Sequence, residues 1–287
     1  MSNILYFLYR AKKRLLPTLK MRHYSFVENM RGRLVQSLRK EPVEILGQRM
    51  LLDTNDALNL ALNRIYEPAE TELLQKLIKP GDTIVDVGAN IGYYSLIFAK
   101  AVGPTGTVFG FEPDPGNFSL LTQNLKLNGH ENVTMVNKAV TDKSGEIELF
   151  VSPGCPADHR IYDSGDGRQK LTIPAVALDD YFSEIKAQID LIKMDIQGAE
   201  FFAVKGMKKV LATNPKVKLL TEFWPFGLKR AGVDPMDYLK LLREIGLKVL
   251  YFDESNKTLR TAEMQELIDL TPVAEPIYCN LLCEPER

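Results

Sequence analysis

Hydrophobic positions along this chain switch repeatedly between two periods. Short β-branched or apolar runs at Thr83–Val87, Thr107–Phe111, Val133–Val136, 189–194 and 217–221 read as buried strands. Helical spacing follows the first two: Tyr94, Ile97, Phe98 and Ala101, then Phe118, Leu121 and Leu125. Asp114-Pro115 and Asp234-Pro235 are N-cap pairs with proline at the first helical position, and Gly129 and Gly246 are the matching stops. Residues 56–79 predict helix interrupted at Pro68, and 179–186 a short helix. Strand, helix, strand order of this kind predicts a parallel sheet. Residues 41–52 predict a short strand pair at the edge of the core. Residues 146–151 and 171–178 read as an added hairpin, and 248–252 with 277–282 as a closing antiparallel edge pair.

The first strand carries the most informative stretch, Asp86-Val-Gly88-Ala89-Asn90-Ile-Gly92. A strand that ends in a glycine turn and opens a helix places that turn where open α/β sheets bind ligands. It is not the dinucleotide fingerprint G-x-G-x-x-G, nor the P-loop G-x-x-x-x-G-K-[ST]. It holds a carboxylate, Asp86, which would repel a pyrophosphate and attract a cation. A second acid, Glu112, ends the next strand, where it can accept hydrogen bonds from ribose hydroxyls. A positively charged nucleoside without phosphates satisfies both, and S-adenosyl-L-methionine, a sulfonium, is such a molecule.

Four motifs in order, Asp86-Val-Gly88-Ala89-Asn90-Ile-Gly92, Phe111-Glu112-Pro113, Leu191-Ile-Lys193-Met-Asp195-Ile-Gln197-Gly198-Ala-Glu200 and Thr221-Glu222-Phe223, resemble the FkbM family of S-adenosylmethionine-dependent methyltransferases. The resemblance spans roughly residues 65–255. It departs at Gln197, where the family usually has Glu, and no acid role is carried over to that position. It implies a Rossmann-like, doubly wound, mostly parallel seven-stranded α/β sheet of the class I methyltransferase kind, with a helical amino-terminal extension. Residues 1–52 form that extension and residues 53–287 the catalytic domain. The resemblance also implies cofactor contacts from Glu67, Gly88, Ala89, Asn90, Gly92, Tyr93, Pro113 and Ala139, alongside Asp86, Glu112 and Asp195, with Tyr66 nearby. Asn117, in the first turn after strand two, is placed to touch ribose or adenine.

The expected reaction is methyl transfer to a hydroxyl of a sugar, polyketide or related small metabolite. A hydroxyl nucleophile loses a proton, so a carboxylate or imidazole helps as base. Asp195, at the carboxyl end of a strand beside the first, is the leading candidate, followed by His159 and Glu222. Helix capping competes with function for Asp195, and more strongly for Glu67 and Glu200. Residues 152–168 form a long Gly-, Pro- and charge-rich loop, read as the substrate loop. From it His159 and Arg160 are substrate candidates, with Glu200 and Trp224 on the site wall. Arg160 and Arg168 suit a carboxylate or phosphate on the acceptor, though single arginines are more often solvated charges. Lys193, inside a strand, needs a partner or an exit to solvent. Asp195, Glu200 and Glu222 are acids of a kind that can hold a divalent metal and so lower a hydroxyl's pKa, but no firm metal signature is present and none is assigned. Three other readings stand beside this one: N- or carboxyl methylation on the same fold, a catalytically silent S-adenosylmethionine-binding scaffold, and a nicotinamide oxidoreductase. The missing dinucleotide fingerprint disfavours the last.

Composition adds limits. The 287 residues are 45% hydrophobic, enough for a sizeable core, and a net charge of -1 gives no drive toward nucleic acid. Cys155, Cys279 and Cys283 lack metal-ligand spacing, and so few cysteines fit a reducing cytoplasm. No apolar run approaches the roughly 20 residues of a membrane span. The start, Ile4 to Tyr9, is too short and lacks the basic flank of a signal peptide. Residues 1–40 carry ten basic side chains, among them Lys12, Lys13 and Arg14, against the single acid Glu28. They read as a helix packed on the catalytic domain or a mobile basic arm, or else as an interfacial helix giving peripheral membrane contact. The acceptor's identity and the oligomeric state are not legible.

Overall fold

A computed structural model describes residues 41–286, and the readings made for residues 1–40 lie outside them. The first elements are the expected strand pair, β1 (Val43–Ile45) and β2 (Gln48–Met50), then α1 (Leu60–Asn63) and α2 (Pro68–Leu77) on either side of the break before Pro68. Strand and helix then alternate: β3 (Thr83–Val87), α3 (Tyr93–Val102), β4 (Thr107–Phe111), α4 (Pro115–Leu127) and β5 (Val133–Val136). Asp114 caps α4 by accepting from the Asn117 backbone N–H at 2.8 Å, as its Asp-Pro start requires.

The chain next builds a separate small sheet from β6 (Ala139–Val140), β7 (Gly145–Val151) and β8 (Gln169–Val176), in the order β6-β8-β7. β7 and β8 are the expected hairpin. The short helix α5 is confined to Leu178–Tyr181. The main sheet resumes with β9 (Leu191–Met194), α6 (Glu200–Lys205), α7 (Lys208–Thr213) and β10 (Lys218–Phe223). Helices α8 (Pro225–Arg230) and α9 (Pro235–Glu244) follow, then β11 (Leu247–Asp253), β12 (Thr258–Thr261), α10 (Met264–Leu270) and β13 (Cys279–Pro285).

The main sheet runs β12-β11-β13-β10-β9-β3-β4-β5. β10, β9, β3, β4 and β5 are parallel, and β13 lies antiparallel between β10 and β11. Without β12 this is the expected seven-stranded frame. β12 is an eighth, outer strand. Its sequence, Thr-Leu-Arg-Thr, is mostly exposed and has one apolar residue, so it gave no strand signal. β13 was expected at the edge and instead sits inside the sheet, because its alternate residues are buried on both faces.

The period of two in a strand assigns each residue to a face. Val85, Val87, Phe109, Phe111, Ile192, Met194, Leu219 and Phe223 enter the core beneath α6 to α10. Ile84, Val108, Leu191, Leu220 and Leu282 enter the core beneath α2, α3 and α4. That second face also carries Asp86, Lys193 and Glu222, which lie in step with Ile84, Leu191 and Leu220. Among the described residues no helix is long and apolar enough to cross a membrane.

Asn124 of α4 ties the β1–β2 hairpin region to the turn after β3. Its side chain accepts from the Leu51 N–H and donates to the Leu51 and Ile91 carbonyls at 2.7, 3.0 and 2.8 Å, fully buried. Asn124→Ala strands those backbone groups and should cost about 3 kcal/mol of unfolding free energy, read from a urea melt. A loss below about 0.5 kcal/mol would show that the tie carries no weight.

Candidate active site

A cavity opens at the carboxyl ends of β3, β4 and β9, with about 880 Å³ of empty space including its mouth. Its inner wall is the turn after β3. The Gly88 and Ala89 N–H groups donate to the Phe111 carbonyl at 3.0 and 2.9 Å, which bends the chain sharply. Gly88 has φ +85°, and a Cβ there would run into the Asp195 carbonyl and the Ile196 side chain. Glycine is therefore required by the close approach of the β3 and β9 turns.

One end of the cavity is apolar. Pro113, Ala139, Val140, Leu149, Ala157 and Ile161 line it beside Glu112 and Asn117. Glu112 accepts from the Asn90 N–H at 2.8 Å through one carboxylate oxygen and from the Asp114 N–H at 2.9 Å through the other. Burial pushes its carboxyl up to about 7, against the lowering effect of those two hydrogen bonds. An apolar slot flanked by an anchored carboxylate has the chemistry to take a nucleoside. The loop 152–168 closes over this end. The Pro156 carbonyl accepts from both Asn117 Nδ2 at 2.8 Å and Asn90 Nδ2 at 3.3 Å.

The other end is charged. Asp86 and Lys193 are direct partners in the β3–β9 register. Lys193, only 4% exposed, places its ammonium 3.5 Å from Asp195 Oδ2 and 4.6 Å from the centre of the Tyr94 ring. Burial alone would lower its pKa, yet Asp195, Glu70, Asp86 and Glu67 together raise it, so it stays an ammonium. Asp195 also accepts from Gln197 Nε2 at 2.9 Å, and Gln197 sits in the left-handed region at φ 56°. The Asp195 side chain is 21% exposed and faces the cavity. Tyr66 stands above this end, its hydroxyl pKa raised by burial and then by Asp195 and Glu67.

Of the residues expected from sequence, Gly88, Ala89, Asn90, Tyr93, Glu112, Pro113, Asn117, Ala139, His159 and Asp195 line this cavity. Asp86 does not. It is fully buried, points toward α3, accepts from Ser95 Oγ at 2.6 Å and has Lys193 as its countercharge. Gly92 also stands back, where a Cβ would strike Leu121. Glu67 lies just outside, accepting from the Tyr94 and Tyr278 hydroxyls at 3.2 and 3.0 Å.

His159 reaches the cavity without a free basic nitrogen. Its Nδ1 accepts from the Ser152 N–H at 3.0 Å, which leaves the proton of the neutral ring on Nε2, facing Asp114 at 3.7 Å. Burial lowers its pKa and keeps it neutral. Arg160 and Arg168 both pair with Asp158, at 2.8 and 2.7 Å, and the Arg160 guanidinium lies 5.2 Å from the centre of the Trp224 ring. These contacts knit the loop together and leave neither arginine free. Glu200 is fully buried and caps the turn after β9, accepting from the Ile196 and Gly198 N–H groups at 3.0 and 3.3 Å. Glu222 and Trp224 are buried behind the charged end. Sequence reasoning did not assign Lys193, Tyr94, Gln197, Pro156 and Ala157 to the site. Lys193 was the one with a signal, a lone charge within an apolar strand. Among the described residues no group of three or more His, Cys, Asp or Glu side chains is placed to hold a metal.

A parallel sheet with one inserted antiparallel strand, and an acid-edged cavity at its carboxyl ends, define a class I methyltransferase fold. Residues 86–249, more than half of the chain, match the Methyltransferase FkbM domain, and the chain belongs to that family. It is similar to the hexuronic acid methyltransferase AglP of Haloferax volcanii, 29% identical over 61% of this chain and 67% of that protein. It is also similar to the 2-O-methyltransferase NoeI of Sinorhizobium fredii, 30% identical over 49% of this chain and 63% of that one. The chain thus spans about two thirds of the length of these relatives. A solved methyltransferase FkbM from Methylobacillus flagellatus aligns over 90% of this chain and 59% of its own, at 18% identity and a TM-score of 0.44.

Glu70, Glu112 and Glu200 are pushed up from 4.5 to about 8, about 7 and about 7, in each case first by burial. A carboxyl raised in the folded state holds its proton more tightly there than when unfolded. Its favourable contribution is therefore complete below the unfolded value and lost as pH rises through the folded one. Stability should fall between about pH 5 and about pH 8 in the cofactor-free protein. Glu200→Gln keeps the oxygen that caps the turn and removes one titration, so its melting temperature relative to wild type should climb across that window. A pH-independent difference would contradict the assignment.

Proposed function

We propose that the protein transfers a methyl group from S-adenosyl-L-methionine to a hydroxyl oxygen of a sugar or related small metabolite. The observation that carries this reading is Asp195, a carboxylate held at the cavity wall by Lys193 and Gln197 with its remaining face toward the cavity. Membership in the family supports the cofactor, and the relatives' names support oxygen as the acceptor atom.

When bound, S-adenosylmethionine supplies a methyl group already activated by its sulfonium. The chain's own residues do the rest. Glu112, Asn117 and the apolar wall hold the nucleoside end, and the Pro156 clamp closes that end to water. Asp195 accepts the hydrogen bond of the acceptor hydroxyl and takes its proton as the oxygen becomes the nucleophile. Gln197 fixes one carboxylate oxygen and Lys193 the other, so the base is oriented before the acceptor arrives. Alignment of this kind contributes several kcal/mol of barrier lowering, and a positioned base about 100-fold or more.

Oxygen is favoured over nitrogen by the packing of the tyrosines. Tyr66, Tyr93 and Tyr94 meet edge to face, and the Tyr94 face is covered by Lys193. They form no open cage for a methylated ammonium.

Asp195→Asn keeps the size and shape of the side chain and one acceptor oxygen, and removes the base. Transfer of labelled methyl to a panel of hydroxylated acceptors should fall about 100-fold or more. The affinity for S-adenosylhomocysteine should change far less than the rate. An unchanged rate would remove Asp195 from the chemistry.

A further inference from the structure

The loop 152–168 meets the two ends of the site through different residues. At the slot, the Pro156 carbonyl accepts from Asn117 and Asn90. Six residues later the Tyr162 hydroxyl donates to the Gln197 carbonyl at 2.9 Å. Ile161 lines the cavity, and the half-buried Tyr162 beside it reaches the turn after β9. Burial raises the pKa of the Tyr162 hydroxyl, so the group keeps its proton and can donate. Its place is fixed just upstream. The Phe150 N–H donates to the Arg160 carbonyl at 2.7 Å and the Arg160 N–H to the Phe150 carbonyl at 3.2 Å, which fastens the loop to β7. The Arg160 guanidinium lies 5.8 Å from the centre of the Tyr162 ring and 5.2 Å from that of Trp224.

The turn that Tyr162 reaches is strained. Gln197 has φ 56° and Gly198 φ 96°. A residue other than glycine holds the left-handed conformation only where its surroundings over-determine it. Here Glu200 accepts from the N–H groups of Ile196 and Gly198, which flank Gln197, and Tyr162 takes the carbonyl of Gln197 itself. Gly198 leaves room for that contact. A Cβ there would lie 2.9 Å from the Tyr162 hydroxyl and 2.7 Å from the Gly227 carbonyl carbon. The same Gln197 donates through Nε2 to Asp195 Oδ1 at 2.9 Å. One strained residue therefore connects a hydroxyl of the loop to the direction of the proposed base.

We propose that Tyr162 is a positioning residue for methyl transfer: its hydroxyl holds Gln197 in the conformation from which Gln197 aims Asp195, so the base is set only while the loop 152–168 lies over the slot. The inference rests on the methyltransferase reading and deepens it. Lys193 holds the other carboxylate oxygen from within β9, independently of the loop. Loss of the tyrosine hydroxyl thus releases one of two restraints on Asp195. It leaves the lysine, and the Pro156 contacts at the slot, in place.

Tyr162→Phe keeps the ring and removes the hydroxyl. Hydrogen exchange of the full chain, read by mass spectrometry, should show the amides of residues 196–199 exchanging at least about tenfold faster than in wild type, with β3 and β4 unchanged. In transfer of labelled methyl to the panel of hydroxylated acceptors, kcat should fall about tenfold or more, while acceptor KM and S-adenosylhomocysteine affinity stay within about twofold. Added to Asp195→Asn, the substitution should cost little beyond Asp195→Asn alone, because a residue that acts through the base has nothing left to aim. Unchanged exchange at 196–199, or losses that multiply in the double variant as those of an independent packing residue do, would overturn the assignment. Either of those results with normal binding of S-adenosylhomocysteine would overturn this inference alone. Failure of wild type to bind S-adenosylhomocysteine would overturn the methyltransferase reading, and this inference with it.

Discussion

One buried ammonium organises the functional end of this protein. Lys193 sits within β9, flanked in register by Asp86 of β3 and followed two residues later by Asp195. Carboxylates on α2, on β3 and at the end of β9 all turn toward it. Without that charge the acids would be a group of buried like charges with no compensation. Removing one member of such a set typically costs about 3–5 kcal/mol. The lysine also sets the direction of Asp195, so the electrostatics that hold three elements together also orient the proposed base.

The rest of the site divides around that hub. On one side the β3 turn, Glu112 and the apolar walls of β6 and β7 make the slot proposed for a nucleoside, with the carbonyl of Pro156 bonded across it to Asn90 and Asn117. On the other side the acids outnumber the cations, and several are held protonated by burial more readily than they would be in water. The loop 152–168 spans both sides. It is anchored to the slot through Asn90 and Asn117, and to the β9 turn through the Tyr162 hydroxyl, which donates to the Gln197 carbonyl at 2.9 Å. The apolar slot and the turn that carries Asp195 are thereby linked through one segment.

Much of this was legible in the sequence because it follows from periodicity and strand ends. The alternation of strands and helices, the glycine turn, Glu112 and Asp195 were each readable from local pattern. What local pattern does not carry is the direction of a side chain and the identity of its distant partner. Asp86 precedes the glycine turn and looked like a ligand contact, but the pleat points it at α3 and Lys193. His159, Arg160 and Arg168 sat in a polar loop and looked available, but Ser152, Asp114 and Asp158 use their hydrogen-bonding groups. Glu200 looked like either a cap or a contact and caps a turn. β12 has too few apolar residues to announce itself, and the hydrogen bond from Tyr278 to Glu67 joins residues more than 200 positions apart.

The central claim is that the cavity at the carboxyl ends of β3, β4 and β9 holds S-adenosylmethionine. Calorimetric titration of the full chain with S-adenosylhomocysteine, for wild type and Glu112→Ala, tests it most directly. The account predicts one-to-one micromolar binding, competed by S-adenosylmethionine and weakened at least about tenfold by the substitution. No binding by well-folded wild type, or binding that ignores Glu112, would contradict it.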